Sequence, residues 1–381
     1  MITAQPSKLA KLQAVADRLG LDAVVAMSPE NFAWASDVHC ITVNLLRPRQ
    51  AYVVVPAKGN PELVICSIEE NLAKGESPIG QLHTYTEFVD NPISVLAGRL
   101  RELGLDSGRI GIDLDYLPAS SYQLLTATMH NLQLLNTTEE IAAIRAVKTP
   151  EEIALMEHAA KGTHRAVLDG MAASRLGETE RAMCQRIAGG ILASGADGTL
   201  FLCFASGERT PIMHAMATDR VPKESEIIRF DLGGTYGLFA SDFARTYSTG
   251  NPTELQKQTY AAMLRVQKAV IASVRAGMLA EDVFFVTRDE YRKNGLAFRM
   301  PHIGHSFGME LHESPMLRPG DKTMLKAGMV LNIEPVVSDE AGNNYHTEDL
   351  IEVMQAGPRI MTLGTAPDEI PEIGQNLPGH F

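Results

Sequence analysis

The 381-residue chain has only four cysteines. Cys40, Cys66, Cys184 and Cys203 are scattered, without a Cys-x-x-Cys pair or a neighbouring metal-type histidine spacing. This excludes a disulfide framework and a thiolate zinc site, and it predicts four reduced, buried thiols. No apolar run is long enough to cross a bilayer, and Met1 to Pro6 has no basic region leading into an apolar core. A membrane partner is therefore not expected, and cytoplasmic residence is the default expectation. Positive charge is also scarce. Lys and Arg number 34 against 46 Asp and Glu, a formal net charge of -12, which leaves no basic stripe for nucleic acid. No glycine-rich phosphate loop stands between the strands expected in the first ~140 residues and the helices that follow them.

Hydrophobic residues make up 45% and charged residues 21%, an ordinary globular balance that excludes disordered and fibrous classes. The length favours two domains. The first part alternates helical and strand patterns, as an α/β domain does. Leu9, Leu12, Val15 and Leu19 recur at helical spacing, residues 21–27 read as a buried strand, and further strands are expected at 51–55, 63–66 and 109–114. A strong helix start follows at Thr149-Pro150-Glu151-Glu152, with Thr149 as N-cap, Pro150 first in the helix and Glu152 closing a capping box. The expected division is 1–140 for the N-terminal domain, 148–365 for a second domain and 366–381 for a Pro- and Gly-rich tail lying over the surface or a partner subunit.

From about residue 225 the pattern changes to hairpins. Residues 225–232 read as a strand, Gly233-Gly234-Thr235-Tyr236-Gly237 as its turn and 238–248 as the return strand, so Asp231 and Asp242 ride on facing strands. A helical stretch at 253–276 follows. The second hairpin runs 329–337, turns through 339–344 and returns through 345–353, carrying Glu334 and Glu348. Alternation sets Asn332 and Glu334 opposite Leu331 and Ile333. Asp231 and Glu334 each end a strongly apolar strand, where an unpaired charge is costly. With His305 between the hairpins, four carboxylates and one imidazole form a set suited to Mn, Co, Fe or Zn. Acidic groups on adjacent strands can bridge two divalent ions, which would offset their mutual repulsion.

Phe230-Asp231-Leu232-Gly233-Gly234, Ser241-Asp242-Phe243-Ala244-Arg245-Thr246, Gly304-His305-Ser306-Phe307-Gly308, Leu311-His312-Glu313, Asn332-Ile333-Glu334-Pro335 and Thr347-Glu348-Asp349 occur in one order. In that order they resemble the creatinase, prolidase, aminopeptidase P and methionine aminopeptidase family, with its pita-bread fold. The resemblance covers about 148–355 well and the N-terminal part more loosely, through Ser28-Pro29-Glu30-Asn31. It implies a creatinase-type α/β domain ahead of a pseudo-two-fold α+β catalytic domain. It also implies two divalent metal ions, bridged by Asp242 and Glu348, with Asp231 on one and His305 and Glu334 on the other. The implied chemistry is metal-assisted hydrolysis of a C–N bond, in which Glu334 carries a proton towards the leaving nitrogen and His312 and His214 bond the oxyanion or substrate. Arg245 is expected to position a carboxylate. His302 is expected to be structural.

One position departs from the family. Arg usually stands two residues before the final glutamate, and here it is His346. The expected substrate is a short Xaa-Pro peptide, as in Xaa-Pro dipeptidase or aminopeptidase P. The alternatives are a metal-dependent hydrolase or lyase on a small-molecule metabolite, as creatinase, ectoine hydrolase and dimethylsulfoniopropionate lyase relatives illustrate, and a non-catalytic binding protein. The resemblance further implies a homodimer, with Trp34 and 46–49 as segments that could reach a partner's site.

Overall fold

A computed structural model describes residues 7–377, so the readings of Met1 to Pro6 and of the last four tail residues lie outside the described residues. The chain divides into two compact units, Met1–Arg145 and Ala146–Phe381.

The first unit contains α1 (Lys8–Leu19), β1 (Ala23–Ala26), α2 (Pro29–Ser36), α3 (Ile41–Leu45), β2 (Tyr52–Pro56), β3 (Glu62–Cys66), α4 (Glu70–Glu76), β4 (Gln81–Tyr85), α5 (Pro92–Glu102), β5 (Arg109–Ile112), α6 (Ala119–Thr128), β6 (Gln133–Asn136) and α7 (Thr138–Ala146). Its six strands form one mixed sheet in the order β4-β3-β2-β1-β5-β6. β1, β2 and β3 pair antiparallel, whereas β3–β4, β1–β5 and β5–β6 are parallel. The central strands are apolar except for Glu62 and Arg109 at their starts, and Val25, Val54, Val64, Ile110 and Ile112 pack with Leu96 and Leu100 of α5. The outer strands β4 and β6, unmarked in the sequence reading, are the partly exposed ones. They lie at the sheet edges, where apolar patterning is weakest.

Ser28 caps α2 and Pro29 occupies its first turn. The segment is tied down by fully buried Asp113, whose Oδ2 accepts from the Met27 N–H at 2.8 Å and the Ser28 N–H at 2.9 Å, while Oδ1 accepts from Asn31 Nδ2 at 3.0 Å. Trp34, expected as a residue that could reach a partner, is 3% exposed in the chain, with Lys8 over its ring. In the 46–49 segment Arg49 pairs with Glu87 and Glu69, whereas Leu46, Arg47 and Pro48 are exposed.

The second unit begins with α8 (Pro150–Ala172), which has the anticipated capping box between Thr149 and Glu152, and α9 (Glu180–Ala193). β7 (Gly198–Ser206), β8 (Ile227–Tyr236), β9 (Phe239–Ala240) and β10 (Phe243–Ser248) follow. A second helix pair, α10 (Glu254–Ser273) and α11 (Ala280–Lys293), precedes β11 (Gly304–Ser306), β12 (Glu313–Met316), β13 (Val330–Ile333), β14 (Val336–Ser338), β15 (Asn344–His346), β16 (Asp349–Glu352) and β17 (Arg359–Ile360). The sheets run β10-β8-β7, with β9 on β8, then β12-β11-β13-β16-β17, with β14–β15 as a separate ribbon. Two helices thus precede each sheet. Val167, Met171, Ile187 and Ile191 cover Phe230 and Phe243 of the first sheet, and Met263, Val270, Val283 and Tyr291 cover Leu331, Ile333 and Ile351 of the second. Val330 and Leu350 face the other way, onto Met156 and Phe307, as strand alternation requires.

The first hairpin turns later than its glycines indicated. Gly233 and Gly234 lie inside β8, and the reversal comes at Gly237, which has φ 59°. Gly233 serves close approach instead: a Cβ there would lie 1.8 Å from the Ser241 carbonyl oxygen. The tail segment beyond 365 packs on the same unit. Ala366 and Ile370 are buried beside α10 and α11, and Pro371 and Ile373 hydrogen-bond with Ser248 at the end of β10, at 2.8 and 2.9 Å.

Candidate metal centre

The two hairpins meet edge to edge. The Glu348 N–H donates to the Ala244 carbonyl at 3.0 Å, the Thr246 hydroxyl donates to the His346 carbonyl at 2.8 Å, and the His346 N–H donates back to that hydroxyl at 2.8 Å. Arg245 completes the seam. It stacks on Phe243, donates to the Glu348 carbonyl and pairs with Asp349 at 2.6 Å, so it holds the backbone of Glu348 without touching Asp231 or Asp242 in this way.

These strands deliver the acidic side chains to one place. Asp231 points from β8, and Asp242 immediately precedes β10, where Ala244 pairs with Asp231. Glu334 and Glu348 occupy the two points at which the second hairpin breaks: Glu334 follows β13 and Glu348 precedes β16. The Glu334 N–H donates to the Ile303 carbonyl at 3.1 Å, which sets it beside β11 and His305. His305 Nε2 lies 3.5 Å from Glu334 and 3.7 Å from Asp242. Its Nδ1 is 3.0 Å from the Ser306 carbonyl. A carbonyl can only accept, so the proton sits on Nδ1 and Nε2 offers its lone pair to the acidic cluster.

Electrostatically the cluster is unfinished. Burial, reinforced by Glu348 and Asp231, pushes the Asp242 carboxyl well up, and burial with Asp231 and Glu334 does the same to Glu348. Burial also raises Asp231. Glu334 goes the other way: burial opposes its ionisation, but the His302, His346 and His305 rings hold it below the usual carboxylate range. Burial lowers His305 to about 4. One oxygen each of Asp231, Asp242, Glu334 and Glu348 is buried without a hydrogen bond. Four such oxygens facing a neutral imidazole are a donor set for divalent cations. One atom each from Asp231, His346 and Glu348 lies within 4.8 Å of the others, close enough for one ion to hold all three.

The cluster forms one wall of a cavity of about 930 Å³. Around the rest are His214, His302, His312, Arg299 and apolar Phe201, Met213, Met216, Met300 and Leu311. The His312 ring lies 4.0 Å from that of His305, and burial lowers its pKa. Its segment is anchored by buried Glu313, which pairs with Lys148 at 2.8 Å and accepts from the Met309 N–H at 3.0 Å. His214 is exposed on the cavity lining, and buried Arg229 secures its approach by donating to the carbonyls of Thr210, Ile212 and Met213.

All seven site residues singled out in the sequence therefore line one cavity. Two more belong with them. His302, expected to be structural, has Nδ1 3.3 Å from Glu334, because the irregular segment before β11 turns it inward. No periodicity signals that turn. His346 enters the acidic cluster itself, with Nε2 3.2 Å from Glu348. Here a signal existed: residues two apart along an extended segment share a face.

Comparison with known proteins agrees with this geometry. Residues 154–355, more than half of the chain, match metallopeptidase family M24, and residues 8–147 match the creatinase/prolidase N-terminal domain. The uncharacterized peptidase YqhT of Bacillus subtilis is 28% identical over 256 residues, covering 67% of this chain and 72% of that protein. An Xaa-Pro dipeptidase of Pyrococcus horikoshii is 26% identical over 359 residues, 93% of this chain and 96% of that one. The crystal structure of dipeptidase PepE from Mycobacterium ulcerans aligns with a TM-score of 0.84 at 26% identity, over 96% of this chain and 97% of the other. Among the described residues no helix is long and apolar enough to cross a membrane. With its creatinase-like α/β domain and pita-bread catalytic domain, the chain belongs to metallopeptidase family M24 and is a metal-dependent hydrolase.

Proposed function

We propose that the protein is a dinuclear metallopeptidase cleaving short Xaa-Pro peptides, in the manner of an Xaa-Pro dipeptidase or aminopeptidase P. The observation that carries this reading is the set of four buried carboxylate oxygens without hydrogen bonds, gathered on the wall of a cavity rather than scattered through the core. Asp242 and Glu348 would bridge two divalent ions, Mn, Co, Zn or Fe, with Asp231 on one and His305 and Glu334 on the other. Bound there, the ions would supply an activated water and polarise the scissile carbonyl.

The protein's own groups account for the rest. Glu334, on the cavity lining between the His302 and His346 rings, would accept a proton from the attacking water and deliver it to the leaving nitrogen. His312 and His214 face the same space and offer N–H groups to the oxygen on which charge develops. The apolar wall of Phe201, Met213, Met216, Met300 and Leu311 suits a prolyl ring and excludes water. Relatives in Pyrococcus horikoshii and Lactobacillus helveticus are named Xaa-Pro dipeptidases, which supports the same class.

A second reading, hydrolysis or lysis of a non-peptide metabolite, is favoured by one observation. Arg299 is the only lysine or arginine on the described lining, and it is exposed, so the cavity has little fixed positive charge for a peptide carboxylate. A panel of Xaa-Pro dipeptides and longer Xaa-Pro peptides, presented to metal-loaded protein, separates the two. Turnover of any of them is the expected result. Loaded protein that cleaves none overturns the peptidase reading.

A further inference from the structure

We infer that His346 is itself a metal donor, so that the centre contains two ligating imidazoles, one at each end of the acidic cluster. The inference rests on the dinuclear reading and refines it. His346 is 1% exposed, and neither of its ring nitrogens has a well-formed hydrogen bond, although both face carboxylates. Its backbone, by contrast, is held on both sides by the Thr246 hydroxyl. The backbone is thus fixed, and the buried ring turns both nitrogens towards the acidic cluster. Nε2 is 3.2 Å from Glu348 and 3.7 Å from Glu334, and Nδ1 is 4.0 Å from Asp231.

His305 shows what a prepared ligand looks like in this protein, since its Nδ1 proton is committed to a carbonyl and its Nε2 faces Asp242 and Glu334. His346 faces the opposite end. The group close enough to share one ion is Asp231, His346 and Glu348, and it does not include His305. Each imidazole thus has carboxylates that the other does not, Asp242 for His305 and Asp231 and Glu348 for His346, with Glu334 between the two rings. An arginine at this position could only add a positive charge, because guanidinium has no lone pair to give. An imidazole adds a nitrogen donor and shifts the ion beside Asp231 towards Zn, Co or Fe over Mn. The residue that departs from the family pattern would then change the composition of the centre itself.

The test uses the full chain, stripped with chelator and titrated with Co²⁺ by calorimetry and visible absorption, with His346→Gln and His346→Arg alongside. Wild type is expected to bind two Co²⁺ per chain, and each variant to lose one ion or bind it about 10- to 100-fold more weakly, with a changed absorption band. Proton NMR of the Co²⁺-loaded wild type provides a readout that needs no variant: two exchangeable, hyperfine-shifted imidazole N–H signals are expected. Two ions with a single such signal, or unchanged affinity and spectrum in both variants, would overturn the role of His346 and leave the dinuclear reading standing. Fewer than two ions on wild type would overturn the dinuclear reading, and this one with it.

Discussion

Asp113 in the N-terminal unit and Asp242 in the catalytic unit are both buried aspartates that burial pushes above the usual carboxylate range. Their surroundings differ. Asp113 accepts from two backbone N–H groups and an asparagine amide, all of which act against the shift. Asp242 has Glu348 and Asp231 for neighbours and an oxygen with no hydrogen bond. The direction of a pKa shift therefore does not separate a structural carboxylate from a functional one; the hydrogen-bond account does. Asp113 is finished by the protein, whereas Asp242 is finished only by something bound.

The contrast can be broken most directly at the centre. Asp242→Ala and Glu348→Ala are each expected to reduce activity below about 1% and to lower bound metal measured by emission spectroscopy. Near-normal metal in both would remove the bridging role and with it the distinction from Asp113. The N-terminal unit should respond in the opposite way. Asp113→Ala leaves two backbone N–H groups and the Asn31 amide without their acceptor, which should cost about 3 kcal/mol in urea unfolding while metal content stays unchanged. A loss of metal instead would show that Asp113 is not purely structural.

The smallest effect sharpens the satisfied side of the comparison. Burial acts to raise Glu226, but the Arg220 fork at 2.7 and 2.8 Å holds it below its ordinary value. A carboxyl whose pKa is lowered on folding contributes stability above its unfolded pKa and loses it as pH falls through the folded one. Glu226→Gln should therefore destabilise by about 1 kcal/mol near neutrality, with the gap closing as acid is added. Thermal melts from pH 7 down to pH 3 measure it, and a gap that widens in acid would contradict the pairing.

Much of this was legible in the chain because short apolar strands ending in carboxylates are costly unless the charges converge, and Asp231, Asp242, Glu334 and Glu348 do converge. The Thr149 cap was equally plain, since both partners of its box are local. What escaped has physical reasons. β4 and β6 are half-exposed edges with little apolar pattern. The Gly233-Gly234 pair looks the same whether glycine is needed for positive φ or for close approach, and only the Ser241 carbonyl settles which. His302 turns inward on an irregular segment. His346 has a readable face, but as the residue that stands where the family has arginine it gives no sequence sign of how closely it enters the acidic cluster.

The buried Lys148–Glu313 pair also has a practical consequence for where the chain can be cut. Lys148 stands just outside the α8 capping box, its backbone N–H donates to the Gly328 carbonyl at 3.0 Å, and Val147 bridges to Met329. A catalytic fragment started at the obvious helix cap, Thr149, would discard the ammonium that meets Glu313 beside His312, together with a short stretch of pairing against the strand leading to Glu334. A fragment started ahead of Val147 would keep both. The minimal excisable unit thus begins before its first helix, in a few residues that look like linker.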